Sequence, residues 1–175
     1  MVTTLLVGCT ADTGMTQLHP AVADMDPRLV PLSEQPDFDL ASIDIVVNTH
    51  LHFDHCGGNV LFAGRPIYVQ RQELEDARGQ EDYTIPEWVE FEGATYVEHD
   101  GEAEIAHGVR VIPTPGHTAG HQSVLVDTDD GLVVLGGDVG YTWKLFDASE
   151  SGQLLMSLRP RRIWLAHQAE PRDLG

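Results

Sequence analysis

Four side chains able to bind a metal ion fall within the segment 50–55, which has the sequence His-Leu-His-Phe-Asp-His. The four are His50, His52, Asp54 and His55. Neutral imidazole nitrogen and carboxylate oxygen are the ligands that borderline divalent cations prefer. A loop can turn alternate side chains toward one point, whereas a regular helix cannot. Histidine is scarce, and an ordinary solvated loop would contain three of them at this spacing only by several independent coincidences. The spacing therefore predicts a metal site.

A buried strand is expected to deliver this segment. Residues 43–47 (IDIVV) form a largely apolar run shortly before His50. In α/β sheets, ligand-binding sites lie outside the carboxyl ends of the strands. We therefore expect the four side chains on a loop at the C-terminal end of a strand.

Three further candidate ligands also follow predicted strands. They are His117 after the strand at 109–112, Asp138 after the strand at 132–135, and His167 after the strand at 162–166. Proline and glycine beside His117 make a rigid loop, and two glycines before Asp138 let the backbone pass close by. Because four strand ends each deliver a ligand type, the sequence predicts one composite site.

Other periodic segments predict the elements that carry these loops. Strands are predicted at 3–7, 66–69, 95–98 and 122–127, and helices at 71–78 and 148–158, the second interrupted by Ser151 and Gly152. The sequence Thr128-Asp129-Asp130-Gly131 predicts a tight turn between the strands at 122–127 and 132–135. A proline-rich loop is predicted between residues 17 and 40.

Several side chains outside these loops allow a functional or a structural interpretation. Aromatic and apolar residues between 83 and 91 could line a substrate pocket, although such spacings are more typical of core. The histidines at 19, 99 and 107 are expected on the surface, because no ligand-like setting surrounds them.

Composition limits the classes of protein that fit. A chain of 175 residues can form one domain with a sizeable core, and we expect a single domain over residues 1–175. The net charge of -18 repels nucleic acid and anionic membranes. Cys9 and Cys56 are too few for a thiolate zinc site. In the absence of a signal peptide or apolar span we expect a cytoplasmic location. For the oligomeric state, a homodimer is kept as an open alternative.

Two stretches carry a resemblance to a known family. The segment 49–59 (THLHFDHCGGN) and the pattern Pro-Gly-His-x-x-Gly-His at 115–121 resemble the metallo-β-lactamase-fold hydrolases, and the likeness extends from Asp12 to His167. It implies an α/β fold, an αββα sandwich, in which Asp12 supports the site. Family members carry more strands upstream than the eleven residues before Asp12 allow, so part of the first sheet is expected to be missing at the N-terminus.

The resemblance also implies a role for each ligand. It places His50, His52 and His117 on one cation, Asp54, His55 and His167 on a second, and Asp138 between them. These residues are too many for one tetrahedral cation, so two divalent ions are expected, zinc first, with iron, manganese or cobalt as alternatives. A hydroxide shared by the two ions would attack an ester-like carbonyl. His121 is expected beside the site rather than in it.

The residues after Asp138 indicate a branch of this family. Residues 137–142 (GDVGYT) and 62–73 (FAGRPIYVQRQE) resemble the N-acyl homoserine lactonases, in which a tyrosine at the position of Tyr141 points at the substrate carbonyl. Tyr141 could donate a hydrogen bond to the oxyanion, and Asp54 could pass a proton to the leaving alkoxide. The plain alternative for Tyr141 is a pocket wall. The expected substrate is a small lactone or ester.

Other activities on the same fold remain open. The best-known metallo-β-lactamases have a cysteine at the position of Asp138 and do not use Asp54, which argues against that activity. A glyoxalase II-like thioester hydrolase shares the ligand set but usually carries a longer C-terminal helical region than the eight residues after His167. A persulfide dioxygenase would use a single iron. A shortened, non-catalytic member that binds metal weakly is the alternative from another class.

Overall fold

The computed structural model of the chain describes the backbone of residues 5–7 and all of residues 39–175. Asp12, His19 and most of the loop predicted between residues 17 and 40 lie outside the described residues. The prediction of a shortened first sheet depends on that region and stays a prediction, as does the single domain over residues 1–175.

The first sheet contains parallel strands in the order in which they follow along the chain. They are β1 (Leu5–Val7), β2 (Ile45–Val47), β3 (Pro66–Gln70) and β4 (Thr95–His99). Each strand pairs with the next in a parallel register. Parallel sheets are covered on both faces, which accounts for the unbroken apolar sequence of β2.

The second sheet is mostly antiparallel. Its strands are β5 (Ala103–Ala106), β6 (Val109–Pro113), β7 (Gln122–Thr128), β8 (Gly131–Leu135), β9 (Arg162–Trp164) and β10 (Arg172–Asp173). They lie in the order β10-β9-β8-β7-β6-β5, and β8 and β9 are parallel. The predicted hairpin is confirmed, because Thr128 pairs with Gly131 across the turn and Gly131 takes a φ of +117° that glycine accepts readily.

The helices of the described residues lie between the strands. They are α1 (Phe53–Cys56), α2 (Arg71–Gly79), α3 (Pro86–Val89), α4 (Trp143–Ala148) and α5 (Glu150–Ser157), with single 3-10 turns at Leu40–Ser42 and Asn59–Phe62. In residues 39–175 no helix has the length and apolar character needed to cross a membrane.

Three apolar interfaces stack these elements into layers. Val47 of β2 and Val124 of β7 lie in one buried cluster, so the two sheets pack face to face. Leu74 of α2 packs on the outer face of the first sheet. Phe146 of α4 and Leu155 of α5 pack on the outer face of the second sheet. The order helix, sheet, sheet, helix confirms the predicted αββα sandwich.

The sequence analysis did not predict two short strands. The strand β5 has the sequence Ala-Glu-Ile-Ala, in which isoleucine is the one residue that favours strands. The strand β10 contains two residues, and its pairing with β9 forms only in the folded chain. The other predicted strands within residues 39–175 are confirmed, with ends displaced by up to two residues.

The predicted helix at 148–158 breaks at a different residue from the one expected. Ser149, rather than Ser151 and Gly152, separates α4 from α5, and its hydroxyl accepts a hydrogen bond from the Gly152 amide at 2.9 Å. Gly152 itself lies inside α5. A Cβ atom at this position would lie well within contact distance of the Phe146 carbonyl oxygen, so a glycine lets α4 and α5 approach closely.

We predict that Gly152→Ala destabilises the protein although alanine normally favours a helix over glycine by about 1 kcal/mol. The clash with the Phe146 carbonyl should outweigh that gain and lower the free energy of unfolding by about 1–3 kcal/mol, as overpacking does. Urea unfolding measures the change. The matched control is Gly79→Ala in α2, where a Cβ meets nothing within 4 Å and stability should hold or rise. Equal stability of the two variants would contradict this account.

Candidate metal centre

The loops that carry the predicted ligands meet at one edge because of the strand directions. β6 and β8 are each antiparallel to β7, and β9 is parallel to β8, so the carboxyl ends of β6, β8 and β9 point the same way. The Gln122 amide at the start of β7 donates a hydrogen bond to the Thr49 carbonyl at 2.8 Å, which joins the end of β2 to the same edge. Four strand ends therefore converge, as the sequence predicts.

The loop after β2 is held by a pair of buried amides. Asn59 donates a hydrogen bond to the Asn48 side-chain oxygen at 2.9 Å, and the Asn48 amide donates to the His55 carbonyl at 3.0 Å. His55 and Asp54 lie on the single helical turn α1, and His52 is its N-terminal cap. The expectation of an irregular loop is therefore wrong for Asp54 and His55, which lie on one turn of helix. That turn places His55 Nε2 3.5 Å from Asp54 Oδ2 and 3.4 Å from Asp138 Oδ2.

His121 lies beside the site, as predicted, and orients the loop of Asp138. Its Nε2 accepts a hydrogen bond from the Asp138 backbone amide at 3.0 Å. Burial lowers the pKa of His121 to about 3, so the ring is neutral and its proton is on Nδ1, 2.9 Å from the Thr114 hydroxyl. This side chain therefore connects the loop after β6 to the loop after β8.

One oxygen of Asp138 lies at the centre of the cluster. Its Oδ2 atom is surrounded by the Nε2 atoms of four histidines, at 3.1 Å from His167, 3.4 Å from His55, 3.5 Å from His117 and 3.9 Å from His50. Asp54 Oδ2 lies 3.5 Å from the Nε2 atoms of both His55 and His167. His52 Nδ1 is 2.9 Å from His117 Nε2. All seven predicted ligands thus come together.

These side chains form three groups of donor atoms, each close enough together to hold a cation. They are the triple-histidine group (His50, His52, His117), the Asp138 group (His50, His55, Asp138) and the Asp54 group (Asp54, His55, His167), and the donor atoms of each lie within 4.8 Å of one another. The groups share His50 and His55, so the three form one continuous centre.

Burial within this centre fits metal coordination. His50 Nε2 and Asp138 Oδ1 are buried without a hydrogen-bond partner among the described residues. Buried polar atoms normally have a partner, since leaving one unsatisfied costs about 1–3 kcal/mol. A divalent cation among nitrogen and oxygen donors would satisfy both atoms.

The protonation states favour an ionised Asp138 beside a neutral His50 and a charged His55. Burial lowers the pKa of His50 well below its ordinary value, and the neighbouring His55 and His121 lower it further. Burial would raise the pKa of Asp138, but hydrogen bonds from His167 and His55 hold it far below its usual range. Burial acts to lower the pKa of His55, yet the carboxylates of Asp138 and Asp54 raise it to about 9.

Tyr141 lies at the exposed side of this cluster. Its hydroxyl is 3.5 Å from His117 Nε2, and its ring centroid lies 5.3 Å from that of His117 and 5.0 Å from that of His167. The side chain is 47% exposed, and the Gln168 amide fixes its backbone by donating to the Tyr141 carbonyl at 2.5 Å. An open cavity of about 250 Å³ adjoins Tyr141, and its lining includes Val139 and Leu145.

Several expectations for other side chains are now decided. Tyr83, Trp88 and Phe91 pack against apolar clusters of the first sheet, which confirms the core interpretation of the segment 83–91. His107 is exposed as predicted. The surface position expected for His99 is wrong, because the ring is half-buried with Nε2 2.8 Å from Gln122 Oε1.

The sequence interpretation missed residues that support the ligands without binding a metal. Asn48 and Asn59 form the amide pair described above, and the fully buried Glu73 accepts a hydrogen bond from the Leu51 amide. Asn59 closes the segment 49–59, but asparagine after a glycine pair is also typical of a plain turn. Glu73 sits in a helix of ordinary polar composition, where a buried acid has no local signature.

Comparison with known proteins identifies relatives of this chain. A family model described as the metallo-beta-lactamase superfamily matches residues 12–167. The chain is 36% identical over 132 residues to an N-acyl homoserine lactonase of Bacillus cereus, covering 75% of this chain and 52% of that protein. It is 31% identical over 148 residues to an N-acyl homoserine lactonase of Rhizobium radiobacter, covering 74% of this chain and 53% of that one.

A solved structure gives the same likeness at the level of the fold. A quorum-quenching N-acyl homoserine lactone lactonase superimposes with a TM-score of 0.75 at 26% identity, covering 94% of this chain and 75% of that one. The chain spans about half the length of the curated relatives it matches.

We predict that Asp138→Asn lowers the divalent metal content of the protein. The amide removes the negative charge that lies within 3.9 Å of four imidazole nitrogens, so cations held around it lose their shared anion. Elemental analysis of protein saturated with zinc and then desalted measures the loss. The control is Asp127→Asn, an exposed acid of β7 with the same change of charge. Equal metal content in both variants would mean that Asp138 binds no metal.

Proposed function

Because the chain belongs to the metallo-beta-lactamase superfamily, we propose that it is a metal-dependent hydrolase that opens N-acyl homoserine lactones. The observation that carries the proposal is the position of Tyr141 above a cluster of seven histidine and aspartate donors. Relatives at 36% and 31% identity are N-acyl homoserine lactonases, which supports the same substrate class.

The proposed centre holds two divalent ions. The triple-histidine group would bind one ion and the Asp54 group the other, with Asp138 between them. Zinc is the proposed metal, since the donors are imidazole nitrogens and carboxylate oxygens that suit a borderline cation. When bound, the pair of cations would supply a hydroxide nucleophile at neutral pH by lowering the pKa of water.

Tyr141 is proposed to stabilise the charge that develops on the lactone carbonyl oxygen. Burial raises the pKa of Tyr141, and the negative charges of Asp138 and Asp54 add to that rise, so the phenol stays protonated. A protonated phenol can donate a hydrogen bond to the oxygen of the tetrahedral state. Such a bond is strongest in the transition state and therefore accelerates the reaction.

Asp54 is proposed to carry the proton that the leaving group needs. When the ring C–O bond breaks, the departing alkoxide must take up a proton. Burial opposes the ionisation of Asp54, but the hydrogen bond and charge of His55 lower the pKa of Asp54 below its ordinary value. The ionised side chain is 27% exposed, so it can accept a proton from the nucleophile and release it to the alkoxide.

Two features of the surroundings suit an uncharged substrate with an acyl chain. The chain carries a net charge of -18, which does not oppose a neutral lactone but repels an anionic glutathione thioester. The cavity of about 250 Å³ has Leu145 and Val139 in its wall, so an acyl group extending from a lactone at Tyr141 would meet apolar side chains.

The substrate proposal predicts a preference between two carbonyl classes. Zinc-loaded protein should cleave N-hexanoyl homoserine lactone with a higher kcat/KM than S-lactoylglutathione, because charge repulsion disfavours the anionic thioester. Parallel assays at the same enzyme concentration measure both, with chelator-treated protein as the control. Faster cleavage of the thioester would reassign the enzyme to thioester hydrolysis. Hydrolysis of neither substrate by protein that holds two zinc ions would overturn the proposed activity.

The role of Tyr141 makes a separate prediction. Tyr141→Phe should lower kcat by about 10- to 1000-fold while the bound zinc content stays unchanged, because one hydrogen bond to the oxyanion is lost and no ligand is removed. Kinetics and elemental analysis on the same sample separate the two effects. A variant with wild-type kcat would leave Tyr141 as a wall of the cavity and nothing more.

A further inference from the structure

Glu73 is a buried carboxylate that the proposed mechanism does not use. It lies in the first turn of α2 with no exposed surface. Its Oε1 accepts hydrogen bonds from the Leu51 amide at 2.7 Å and the Tyr83 hydroxyl at 2.5 Å, and its Oε2 accepts one from the Thr118 hydroxyl at 2.6 Å. Both carboxylate oxygens are therefore occupied by donors.

The partners of Glu73 make it unlike an ordinary buried acid. Aspartate and glutamate are almost never fully buried unless they pair with a cation, since removing the charge from water is costly. In the part of the chain that the structure describes, the hydrogen-bond partners of Glu73 are a backbone amide and two hydroxyls, which are neutral donors. A buried negative charge without a cationic side chain beside it favours positive charge in its neighbourhood.

The donors to Glu73 flank the ligands of the triple-histidine group. Leu51 lies between His50 and His52 in the sequence, and Thr118 directly follows His117. The carboxylate of Glu73 thus joins the two loops that supply this group, each within one residue of a donor histidine. Among the described residues, no hydrogen-bond donor to Glu73 is adjacent in sequence to Asp54 or His167.

Packing around Glu73 fixes the distance between these loops. A Cβ atom on Gly120 would collide with the Glu73 backbone nitrogen, so the loop after β6 lies directly against the first turn of α2. The ring of Tyr83, which donates to Glu73, lies 5.0 Å from the ring of His52 between centroids.

We propose that Glu73 is a positioning residue that sets the affinity of the triple-histidine group for its cation. It does so by tying the Leu51 backbone amide and the Thr118 side-chain hydroxyl to α2 and by placing a buried negative charge beside the group. The inference rests on the proposed two-metal function. The proposed effect is asymmetric, because Glu73 raises the affinity of one of the two cation positions and leaves the affinity of the other unchanged.

The test uses Glu73→Gln, which keeps the size of the side chain. The Gln oxygen can still accept from the Leu51 amide and the Tyr83 hydroxyl, while the Thr118 hydroxyl can turn to accept from the new amide. The charge is lost and the geometry is largely kept. Stepwise zinc dissociation constants come from competition with a chromophoric chelator, and urea unfolding of the metal-free protein reports stability separately.

We expect one zinc ion to bind 10- to 100-fold more weakly in Glu73→Gln and the other to bind as in the wild type. The matched control is Glu75→Gln, which removes the same charge from the exposed side of the same helix and should leave both constants unchanged. Thr118→Val removes the donor to Oε2 and should weaken the same single ion, which tests the proposal by a second route if the Gln variant does not fold.

Two results would overturn the inference while the proposed function stands. One is wild-type binding of both zinc ions in Glu73→Gln and Thr118→Val. The other is an equal loss of both ions that follows the loss of stability of the metal-free protein, since Glu73 would then act on folding alone. Wild-type protein that binds no zinc would instead overturn the two-metal proposal and this inference with it.

Discussion

The interaction on which the site depends is the contact of one buried carboxylate oxygen, Asp138 Oδ2, with four imidazole nitrogens at 3.1–3.9 Å. Polar groups in such numbers are costly to bury unless each has a partner. The ionised Asp138 is stabilised by His55, whose own pKa is raised by the nearby carboxylates. A pair of divalent cations would stabilise the buried donors more completely. The supporting residues keep Asp138 Oδ2 and the surrounding imidazole nitrogens in these positions.

Strand direction and close backbone approach hold the ligand loops in position. Three strands of the second sheet end at the same edge, and a backbone hydrogen bond joins the first sheet to it. Gly137 has a φ of +56°, and a Cβ atom there would lie 2.8 Å from both His121 Nε2 and Thr49 Cβ. Glycine is therefore needed where the loop of Asp138 passes over the loop of His50.

Burial varies across the centre from enclosed ligands to exposed groups. His50, His55 and Asp138 are buried, whereas Asp54 is partly exposed and Tyr141 lies at the surface beside an open cavity. The groups that hold charge in place are thus shielded from water, which strengthens electrostatic interactions. The groups proposed to touch a substrate lie on the accessible side, and Glu73 supports the buried side from behind, on α2.

The sequence by itself determined the donor types, their order and the strand ends that carry them, because ligand chemistry and apolar periodicity are local properties. It also indicated Tyr141, through the residues that surround Asp138. Tertiary structure decided what depends on partners distant in the chain. Glu73 is buried because Leu51, Tyr83 and Thr118 converge on it, and His99 is drawn inward by Gln122. None of these contacts leaves a local signature, since each depends on the approach of segments that only the packed sheets and helices bring together.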